Sequence, residues 1–293
     1  MRLVHTAFRT AVVLALATAG AACAPQPEQP DAASASASAG GAGACAKGQL
    51  PTLAAGKLTI GTDKPAYAPW FEGDEPSNGK GFESAVAYAV ADRLGYPGDK
   101  VAWTTVPFNS AFAPGAKTFD FDINQVSISD ERKKAVDFSP GYYGVRQAVI
   151  ALKDSKAANA KSLADLKTAR LGAQVGTTSL EVVTQQIKPD AAPSIFQKND
   201  FAKAALNNGQ VDAIVVDLPT AFYITSAEVP EAKIIGQFEP SAATAEEFGL
   251  VLDKGSKLTS CVSAAVTELR KDGTLAALEK KWLSDAVSAP VIK

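Results

Sequence analysis

The sequence predicts an α/β protein built on parallel sheets, with enough chain for two lobes. Short apolar stretches typical of strands alternate with stretches of helical periodicity from about residue 57 to residue 283. The chain has 293 residues, a length that suits one large domain or two domains of ordinary size. Its hydrophobic content of 46% is sufficient for a buried core and too high for a disordered chain.

The first half of this region contains three predicted strands around one clear helix. Apolar residues recur at helical spacing from Phe82 to Leu94, and Gly95 follows as a helix stop. A loop rich in Pro, Gly and aromatic residues precedes that helix over 63–80. The strands are predicted over 57–62, 101–106 and 119–126, and a helix or turn opens at 127–132.

The second half repeats the alternation with shorter elements. The stretch 211–216 is mostly apolar, which is typical of a buried strand. A turn at 176–179 leads into a helix, and Asp272-Gly273 separates two helices within 259–283. Further strands are predicted over 147–152, 170–174 and 247–252, with helices over 162–166 and 201–208. The sequence contains neither G-x-G-x-x-G nor G-x-x-x-x-G-K-[ST], which argues against the common nucleotide-binding loops.

Histidine and methionine are scarce, and their positions restrict the possible chemistry. The single His is His5 and the single Met is Met1, so both lie in a segment that we expect to be removed. The remaining chain would then have no Ser-His-Asp or Cys-His catalysis, no His general base and no His ligand for zinc or haem. A formal net charge of −2 provides no basic surface for nucleic acid. We expect no metal, cofactor or nucleic-acid partner.

The first 22 residues have the features of a secretory signal peptide. Arg2 and Arg9 supply positive charge, an apolar stretch follows over 11–17, and small residues follow over 19–22. The apolar stretch is too short to span a bilayer. Cys23 comes directly after the small residues, an arrangement that resembles the lipobox of bacterial lipoproteins, in which the cysteine is lipidated and becomes the first residue.

Residues 23–45 are predicted to form a flexible linker behind that lipid anchor. The stretch 25–44 has no aromatic or β-branched residue and cannot bury a core. An Ala-, Ser- and Gly-rich segment of this length is a tether with a reach of about 25 Å. A tether has an evident purpose between an acylated Cys23 and a folded body. The alternative is an ordinary signal peptide that is cut near Ala22.

The other two cysteines flank the folded region. Cys45 precedes it and Cys261 lies near its end. An even pair in an exported chain is typical of a disulfide, and two buried thiols are the alternative. A disulfide here would hold both ends of the folded region in one lobe.

Three stretches of the folded region carry recognisable motifs. The first is GKGFE at 79–83. Ser84 and Ala85 follow it, at positions where the motif of the family named below usually has an apolar residue and a second acid. The second, 121–143, contains a hydroxyl-Ile-hydroxyl triplet, two acids and Arg, then Asp-Phe-Ser and an aromatic pair. The third is LRKDGTL at 269–275, continuing to KW at 281–282. Together these stretches resemble the extracellular solute-binding proteins of family 3, which serve polar amino acid ABC importers.

The resemblance implies a type II periplasmic-binding-protein fold, which is a two-lobed Venus flytrap. Each lobe would have a mixed, mostly parallel sheet with flanking helices. Lobe 1 would comprise 46–143 and 253–293, and lobe 2 would comprise 147–248. The ligand would bind between the lobes, beyond the carboxyl ends of the strands, and hinge closure would bury it.

The function implied by the resemblance is the capture of an amino acid or similar small zwitterion for an ABC permease. The protein would be a monomeric lipoprotein, anchored through Cys23 to the outer face of the cell membrane, and it would not be an enzyme. Two alternatives stay open, which are a carboxylate-dependent periplasmic enzyme similar to cyclohexadienyl dehydratase and a ligand sensor on the same fold.

Opposite charges are expected to hold the two ends of the ligand. Arg132 matches the family position that holds the α-carboxylate, and a guanidinium meets a carboxylate with two parallel hydrogen bonds. Asp217 follows the apolar strand and matches the position that binds the α-ammonium. The alternatives are a surface arginine and a turn-forming aspartate before Pro219.

Seven further residues are expected around the ligand. Ser127 and Ser129 would flank the carboxylate with hydroxyl or backbone N–H groups. Thr177 and Thr178 follow Gly176 at a helix start, where free N–H groups favour an anion, and N-capping is the alternative for their hydroxyls. The resemblance also implies contacts from Tyr67, from Trp70, for which the core of lobe 1 is the alternative, and from Gln174.

Overall fold

A computed structural model of the chain describes residues 45–239, 246–283 and 289–293. The expected signal peptide over 1–22, the lipid anchor at Cys23 and all of the linker except Cys45 lie outside these described residues. None of the helices in the described part of the chain is long and apolar enough to cross a membrane.

Short strands and helices alternate along most of the described chain. The strands are β1 (Leu58–Thr62), β2 (Val101–Thr105), β3 (Phe121–Asp122), β4 (Val136–Phe138), β5 (Tyr143–Gly144), β6 (Gln147–Leu152), β7 (Leu171–Gln174), β8 (Ser194–Phe196), β9 (Ala213–Asp217), β10 (Ala232–Phe238), β11 (Glu247–Phe248), β12 (Val251–Asp253) and β13 (Val291–Ile292). The helices are α1 (Phe82–Leu94), α2 (Phe108–Ala111), α3 (Leu163–Leu166), α4 (Thr178–Glu181), α5 (Asn199–Asn207), α6 (Leu218–Tyr223), α7 (Thr259–Lys271) and α8 (Thr274–Leu283). Segments Val182–Ile187 and Ile224–Glu228 continue α4 and α6 as π-helices.

The first sheet has the strand order β2-β1-β3-β12-β4 and forms lobe 1 with α1, α7 and α8. Apolar residues of β1, α1 and α7, such as Ile60, Val86 and Val262, share one fully buried core. Helix α1 has the bounds that its periodicity predicts. It ends at Gly95, whose φ of 84° lies in the left-handed region where a residue without Cβ is favoured.

The second sheet has the strand order β13-β10-β6-β9-β7-β8 and forms lobe 2. Both sheets are mixed. β1 runs parallel to β2 and β3, and β7 runs parallel to β8 and β9. β6 and β12, the first main-sheet strands after the two crossings between lobes, run antiparallel to their neighbours. The expected two-lobed α/β fold with mixed sheets is therefore confirmed.

The two crossing segments pair with each other and form the hinge. β5 and β11 run antiparallel, with Gly144 opposite Glu247 and Tyr143 opposite Phe248. The rings of Tyr143 and Phe248 lie 5.6 Å and 5.5 Å from the ring of Trp70. Aromatic packing thus ties the hinge to the core of lobe 1.

The C-terminal residues differ from the expected lobe assignment. The segment 253–293 was expected in lobe 1, but β13 adds to the edge of the lobe 2 sheet, parallel to β10. The physical reason is that this strand supplies main-chain partners to β10, as the Gln237 N–H donates to the Pro290 carbonyl at 2.8 Å. Gly236 permits this approach, because a Cβ there would lie 2.6 Å from that same carbonyl oxygen.

The disulfide expected from the two flanking cysteines is present. Cys45 and Cys261 are bonded across a sequence separation of 216, with their Cα atoms 5.4 Å apart. Cys261 is a buried residue of α7, and Cys45 packs on the same core cluster. The bond therefore attaches the start of the folded region to lobe 1.

Breaking this disulfide should lower the free energy of unfolding by about 2–5 kcal/mol, because a long closed loop restricts the unfolded chain. We expect Cys45→Ala and the double variant Cys45→Ala/Cys261→Ala to lose similar amounts in urea unfolding. The single variant keeps the buried Cys261 side chain and so separates the cross-link from the packing. A loss below about 0.5 kcal/mol in Cys45→Ala would contradict the prediction.

Candidate ligand-binding site

A cleft lies where the carboxyl ends of strands from the two lobes face each other. Thr62, the last residue of β1, lines it from lobe 1, whereas Gln174 and Asp217, the last residues of β7 and β9, line it from lobe 2. Open α/β sheets bind ligands at this edge. The cleft is narrow, with about 40 Å³ of free space between its walls.

The structure brings most of the expected ligand-binding residues to this cleft. Those that line it are Tyr67, Ser127, Arg132, Gln174, Thr177, Thr178 and Asp217. They come from segments that are far apart in the sequence, and both lobes contribute. Ser129 and Trp70 lie elsewhere, as described below.

Arg132 places a buried positive charge between the lobes. It opens a 3₁₀ turn of lobe 1, and only 9% of the residue is exposed. Its Nη1 donates to the Ser127 carbonyl at 2.6 Å, and its Nη2 donates across the cleft to the Gly176 carbonyl at 2.9 Å. The guanidinium also lies 4.3 Å from the ring centre of Phe112.

The charge of Arg132 has no ion-pair partner within the part of the chain that the structure describes. Burial lowers the pKa of its guanidinium, while the negative charges of Glu181, Glu246 and Asp217 act in the opposite direction at longer range. Burying a cation without a counterion is costly. The side chain is therefore suited to receive an anion from outside the chain.

Asp217 places a carboxylate on the opposite lobe. It ends β9, and its Oδ1 accepts a hydrogen bond of 2.7 Å from Gln147 Nε2. Burial and, next, the negative charge of Glu246 raise the pKa of Asp217 to about 8. A nearby cation would reverse this shift, so the carboxyl is suited to bind an ammonium group.

Gln147 and Glu246 are site residues that the sequence reasoning missed. Gln147 Nε2, which donates to Asp217, also lies 3.2 Å from both carboxylate oxygens of Glu246. Glu246 accepts further hydrogen bonds from the hydroxyls of Ser127 and Thr178. A polar residue at the start of the apolar strand β6 was a usable signal for Gln147, whereas Glu246 gives none in the sequence.

Thr177 acts as a helix N-cap, the alternative role considered for it. Its Oγ1 accepts from the Leu180 N–H at 3.1 Å and donates to the Gln174 carbonyl at 2.7 Å. Gly176 precedes it with φ of 74°, and a Cβ at that position would lie 2.1 Å from Asn109 Oδ1 of lobe 1. Gly176 thus lets the lobes approach closely enough for its carbonyl to reach Arg132.

Ser129 lies outside the lining of this cleft, and its expected place beside the ligand stays a prediction. Its hydroxyl instead accepts a hydrogen bond of 3.2 Å from the Arg132 N–H. The chain bends into the 3₁₀ turn between these residues, so the Ser129 side chain supports the turn that carries Arg132.

Trp70 is a core residue of lobe 1, which was the alternative to a ligand contact. It is fully buried among Phe82, Tyr143 and Phe248, so its ring cannot form a wall of the cleft. Its Nε1 donates to Thr220 Oγ1 of α6 at 2.9 Å. Trp70 therefore links the core of lobe 1 directly to lobe 2.

The remaining wall of the cleft includes neutral amides. Asn124 and Gln125 line it from lobe 1, and Gln125 has φ of 50°, in the left-handed region. The buried carboxyl of Glu83 holds Gln125 by accepting from its N–H at 2.8 Å and from its side-chain amide. Burial raises the pKa of Glu83 to about 7 even though Tyr142 and Gln125 donate to it.

Comparison with known proteins places these features in one family. Residues 58–285 match the bacterial extracellular solute-binding proteins of family 3. The chain belongs to this family. The resemblance drawn from three sequence motifs is thereby confirmed. As an extracellular solute-binding protein, the chain acts outside the cytoplasm.

Several individual proteins are similar to this family 3 member over most of its length. The L-cystine-binding protein TcyJ of Escherichia coli is 32% identical over 246 residues, which are 80% of this chain and 85% of TcyJ. The structure of an ancestral arginine-binding protein bound to glutamine has 31% identity and a TM-score of 0.64, and the match covers 77% of this chain and 97% of that chain.

A third similar structure bears on the question of catalysis. It is the ancestral amino acid-binding protein AncCDT-1, described as a precursor of cyclohexadienyl dehydratase. It is 29% identical with a TM-score of 0.63, and the match covers 78% of this chain and 95% of that chain. The solved relatives agree with a type II periplasmic-binding-protein fold.

Asp217→Asn should flatten the pH dependence of stability in the unliganded protein. The folded protein keeps a proton on Asp217 up to about pH 8, whereas the unfolded chain releases it near the ordinary pKa of 3.8. The stability from this proton is present below about pH 4 and is lost as the pH rises toward 8. Urea unfolding should show that the stability of the variant rises relative to that of the wild type by about 3–4 kcal/mol between about pH 5 and about pH 8.

Asp165→Asn is the matched control for this prediction. Asp165 is exposed, and hydrogen bonds from Lys161 and Ser162 lower its pKa, so its replacement should produce no such gain. Glu83, whose pKa is also raised, is present in every variant, and its negative charge contributes to the raised pKa of Asp217. An equal difference between wild type and Asp217→Asn at both pH values would contradict the assignment.

Proposed function

We propose that this protein captures an amino acid or similar small zwitterion between its two lobes and delivers it to an ABC permease. The observation that carries the proposal is the placement of Arg132 and Asp217 on opposite lobes of one cleft. Arg132 would bind the α-carboxylate and Asp217 the α-ammonium. Because each charge lies on a different lobe, one bound zwitterion would favour closure of the cleft.

In this proposal, each lobe is built around one of the two main sheets. Lobe 1 would comprise 46–143 with the helices that follow 253, and lobe 2 would comprise 147–239 with the C-terminal strand β13. The hinge pair β5 and β11 lies between them. Closure around the ligand would bend these two segments and leave each sheet intact.

The choice among amino acids rests on the other lining groups. Asp63 also lines the cleft, so the lining contains two carboxyl groups, of Asp63 and Asp217, and one guanidinium. Neutral amides complete the polar part of the lining, from Asn124, Gln125 and Gln174. We expect neutral polar or cationic amino acids to bind more tightly than glutamate or aspartate, because a second ligand carboxylate would meet like charge. Relatives named for cystine and arginine binding are consistent with this range.

The partners and the location of the protein follow from the family. Other members are named as binding proteins of ABC transporters, which supports a permease as the partner. We further propose that Cys23 carries a lipid, that 23–45 is the tether, and that the protein works as a monomer on the outer face of the cell membrane. The signal-like residues 1–22 and the lipobox-like position of Cys23 support this part of the proposal.

We propose that the protein binds its ligand and releases it chemically unchanged. A cleft that holds both ends of a zwitterion with opposite charges needs no reactive group. The similar protein AncCDT-1 is itself described as an amino acid-binding protein, which supports binding on this scaffold. A ligand recovered by mass spectrometry with unchanged mass would agree with this, whereas a product formed during incubation would favour the enzyme alternative.

The proposed function is tested by a thermal-shift panel of amino acids on the purified protein, with hits measured by calorimetry. A ligand present at about 100 times its Kd should stabilise the fold by about 2.7 kcal/mol. Binding of at least one L-amino acid with 1:1 stoichiometry is expected. No stabilisation by any proteinogenic amino acid or by cystine would count against the proposal.

Arg132→Ala should sharply reduce ligand-induced thermal stabilisation while the protein remains folded. The loss of two charge-assisted hydrogen bonds to the ligand carboxylate should weaken binding by about tenfold to a hundredfold. Arg93→Ala is the control, because Arg93 makes exposed ion pairs with Glu268 and Asp272 far from the cleft lining. Wild-type affinity in Arg132→Ala would show that the carboxylate site is misplaced.

Cys23→Ala should move the protein from the membrane fraction to the soluble fraction of cells that express the full chain. An acyl chain contributes about 0.8 kcal/mol for each buried CH₂ group, and removal of the acylated residue removes that anchor. Radiolabelled palmitate should mark the wild type and not the variant. Equal fractionation of the two proteins would favour an ordinary signal peptide.

A further inference from the structure

Glu246 lies on the segment that returns the chain from lobe 2 to lobe 1. Its backbone is held at the hinge, because its carbonyl accepts from the Val145 N–H at 2.9 Å. Its side chain reaches groups on both sides of the cleft. It accepts from Ser127 Oγ of lobe 1 at 2.6 Å and from Thr178 Oγ1 of lobe 2.

Gln147 places a second donor against the same carboxylate. The Gln147 side chain has a fixed orientation, because its Oε1 accepts from Ser179 Oγ at 2.5 Å and its Nε2 faces Asp217 and Glu246. An amide nitrogen has two hydrogens, and here the carboxyl groups of Asp217 and Glu246 and, at 3.3 Å, the Thr178 hydroxyl accept them. Gln147 therefore has no donor left for a ligand.

The hydroxyls of Ser127 and Thr178 are limited in the same way. A hydroxyl has one proton to donate and two lone pairs to accept. Both protons point toward Glu246, since a carboxylate without a proton can only accept. On the side that lines the cleft, these two hydroxyls present lone pairs.

We propose that Glu246 is a positioning residue that sets ligand specificity by taking the protons of the Ser127 and Thr178 hydroxyls, so that both act as acceptors for the ligand's ammonium group. The inference rests on the proposed function and deepens it. The ligand carboxylate is then left to Arg132 and to backbone N–H groups. Asp217, joined to Glu246 through Gln147, lies on the same electronegative side of the cleft.

The test compares amino acids with analogues that lack only the α-amino group. The pairs are L-lysine with 6-aminohexanoate, L-glutamine with 4-carbamoylbutanoate, and L-arginine with 5-guanidinopentanoate. Calorimetry on wild type, Glu246→Ala and Glu246→Gln gives the ratio of the two dissociation constants for each pair that binds. Thermal unfolding without ligand checks that each variant is folded, and Glu246→Gln keeps the side-chain shape if the alanine variant is unstable.

Glu247→Gln is the matched control. Glu247 is the next residue of the same segment and carries the same charge, but its side chain faces Arg270, 3.4 Å away, on the other side of the hinge. We expect Glu247→Gln to keep the wild-type ratio within about twofold. A purely structural effect of changing this segment would appear in both variants.

We expect the preference for the amino acid over its analogue to fall about tenfold or more in Glu246→Ala, and in the same direction in Glu246→Gln. The freed hydroxyl protons should leave binding of the analogue unchanged or tighter. A ratio within about threefold of wild type in both variants would overturn the inference. Equal tightening of both members of a pair would also overturn it, because Glu246 would then be a competitor that the ligand displaces.

Failure of the proposed function gives a different result. Wild-type protein that binds no member of any pair, and no amino acid in the wider panel, would defeat both proposals together. Wild-type protein that binds amino acids with a ratio insensitive to Glu246 would leave the proposed function standing and overturn only the inference about Glu246.

Discussion

The buried guanidinium of Arg132 is the constraint on which the rest of the cleft depends. A cation removed from water must be compensated, and here two backbone carbonyls and the face of Phe112 compensate it only in part. One of those carbonyls, at Gly176, belongs to the opposite lobe. An anion would therefore stabilise this side chain, and its hydrogen bond to Gly176 forms only when the lobes are in contact. That combination is what a binding protein requires if closure is to depend on its ligand.

The hinge and the lobe contacts make this arrangement possible. Gly176 lacks the Cβ that would collide with Asn109, and Trp70 extends a hydrogen bond from the core of lobe 1 to Thr220. Trp70 also packs on the rings of both hinge strands. The indole of Trp70 therefore contacts both the hinge strands and lobe 2. The disulfide and β13 lie away from this region, where they fasten the two ends of the folded chain.

The other side of the cleft carries the opposite electrostatic character. Asp217 and Glu246 approach each other through the amide of Gln147, and the negative charge of Glu246 contributes to the raised pKa of Asp217. Two like charges held close together favour a cation between or beside them. The geometry thus separates an anion-binding side, centred on Arg132, from a cation-binding side. A zwitterion satisfies both sides at once.

Local patterns in the sequence were enough to predict helix α1, the disulfide and two charged residues of the site, Arg132 and Asp217. Helix α1 follows from its periodicity and Gly95, and the disulfide follows from an even pair of cysteines in an exported chain. Arg132 and Asp217 were found because a motif and an apolar strand precede them. These signals are readable since hydrogen bonds within an element and burial of one face depend on neighbouring residues.

Only the tertiary structure decided which distant groups meet. Ser127 and Glu246 are 119 residues apart, and Trp70 and Thr220 are 150 apart, so no local pattern connects them. The fold likewise turned Ser129 toward the backbone of Arg132 and brought β13 to the edge of lobe 2. The sequence by itself determined that hydroxyls and opposite charges would line a cleft. Whether a hydroxyl donates or accepts there depends on which carboxylate the folded chain places beside it, because each hydroxyl has one proton to give.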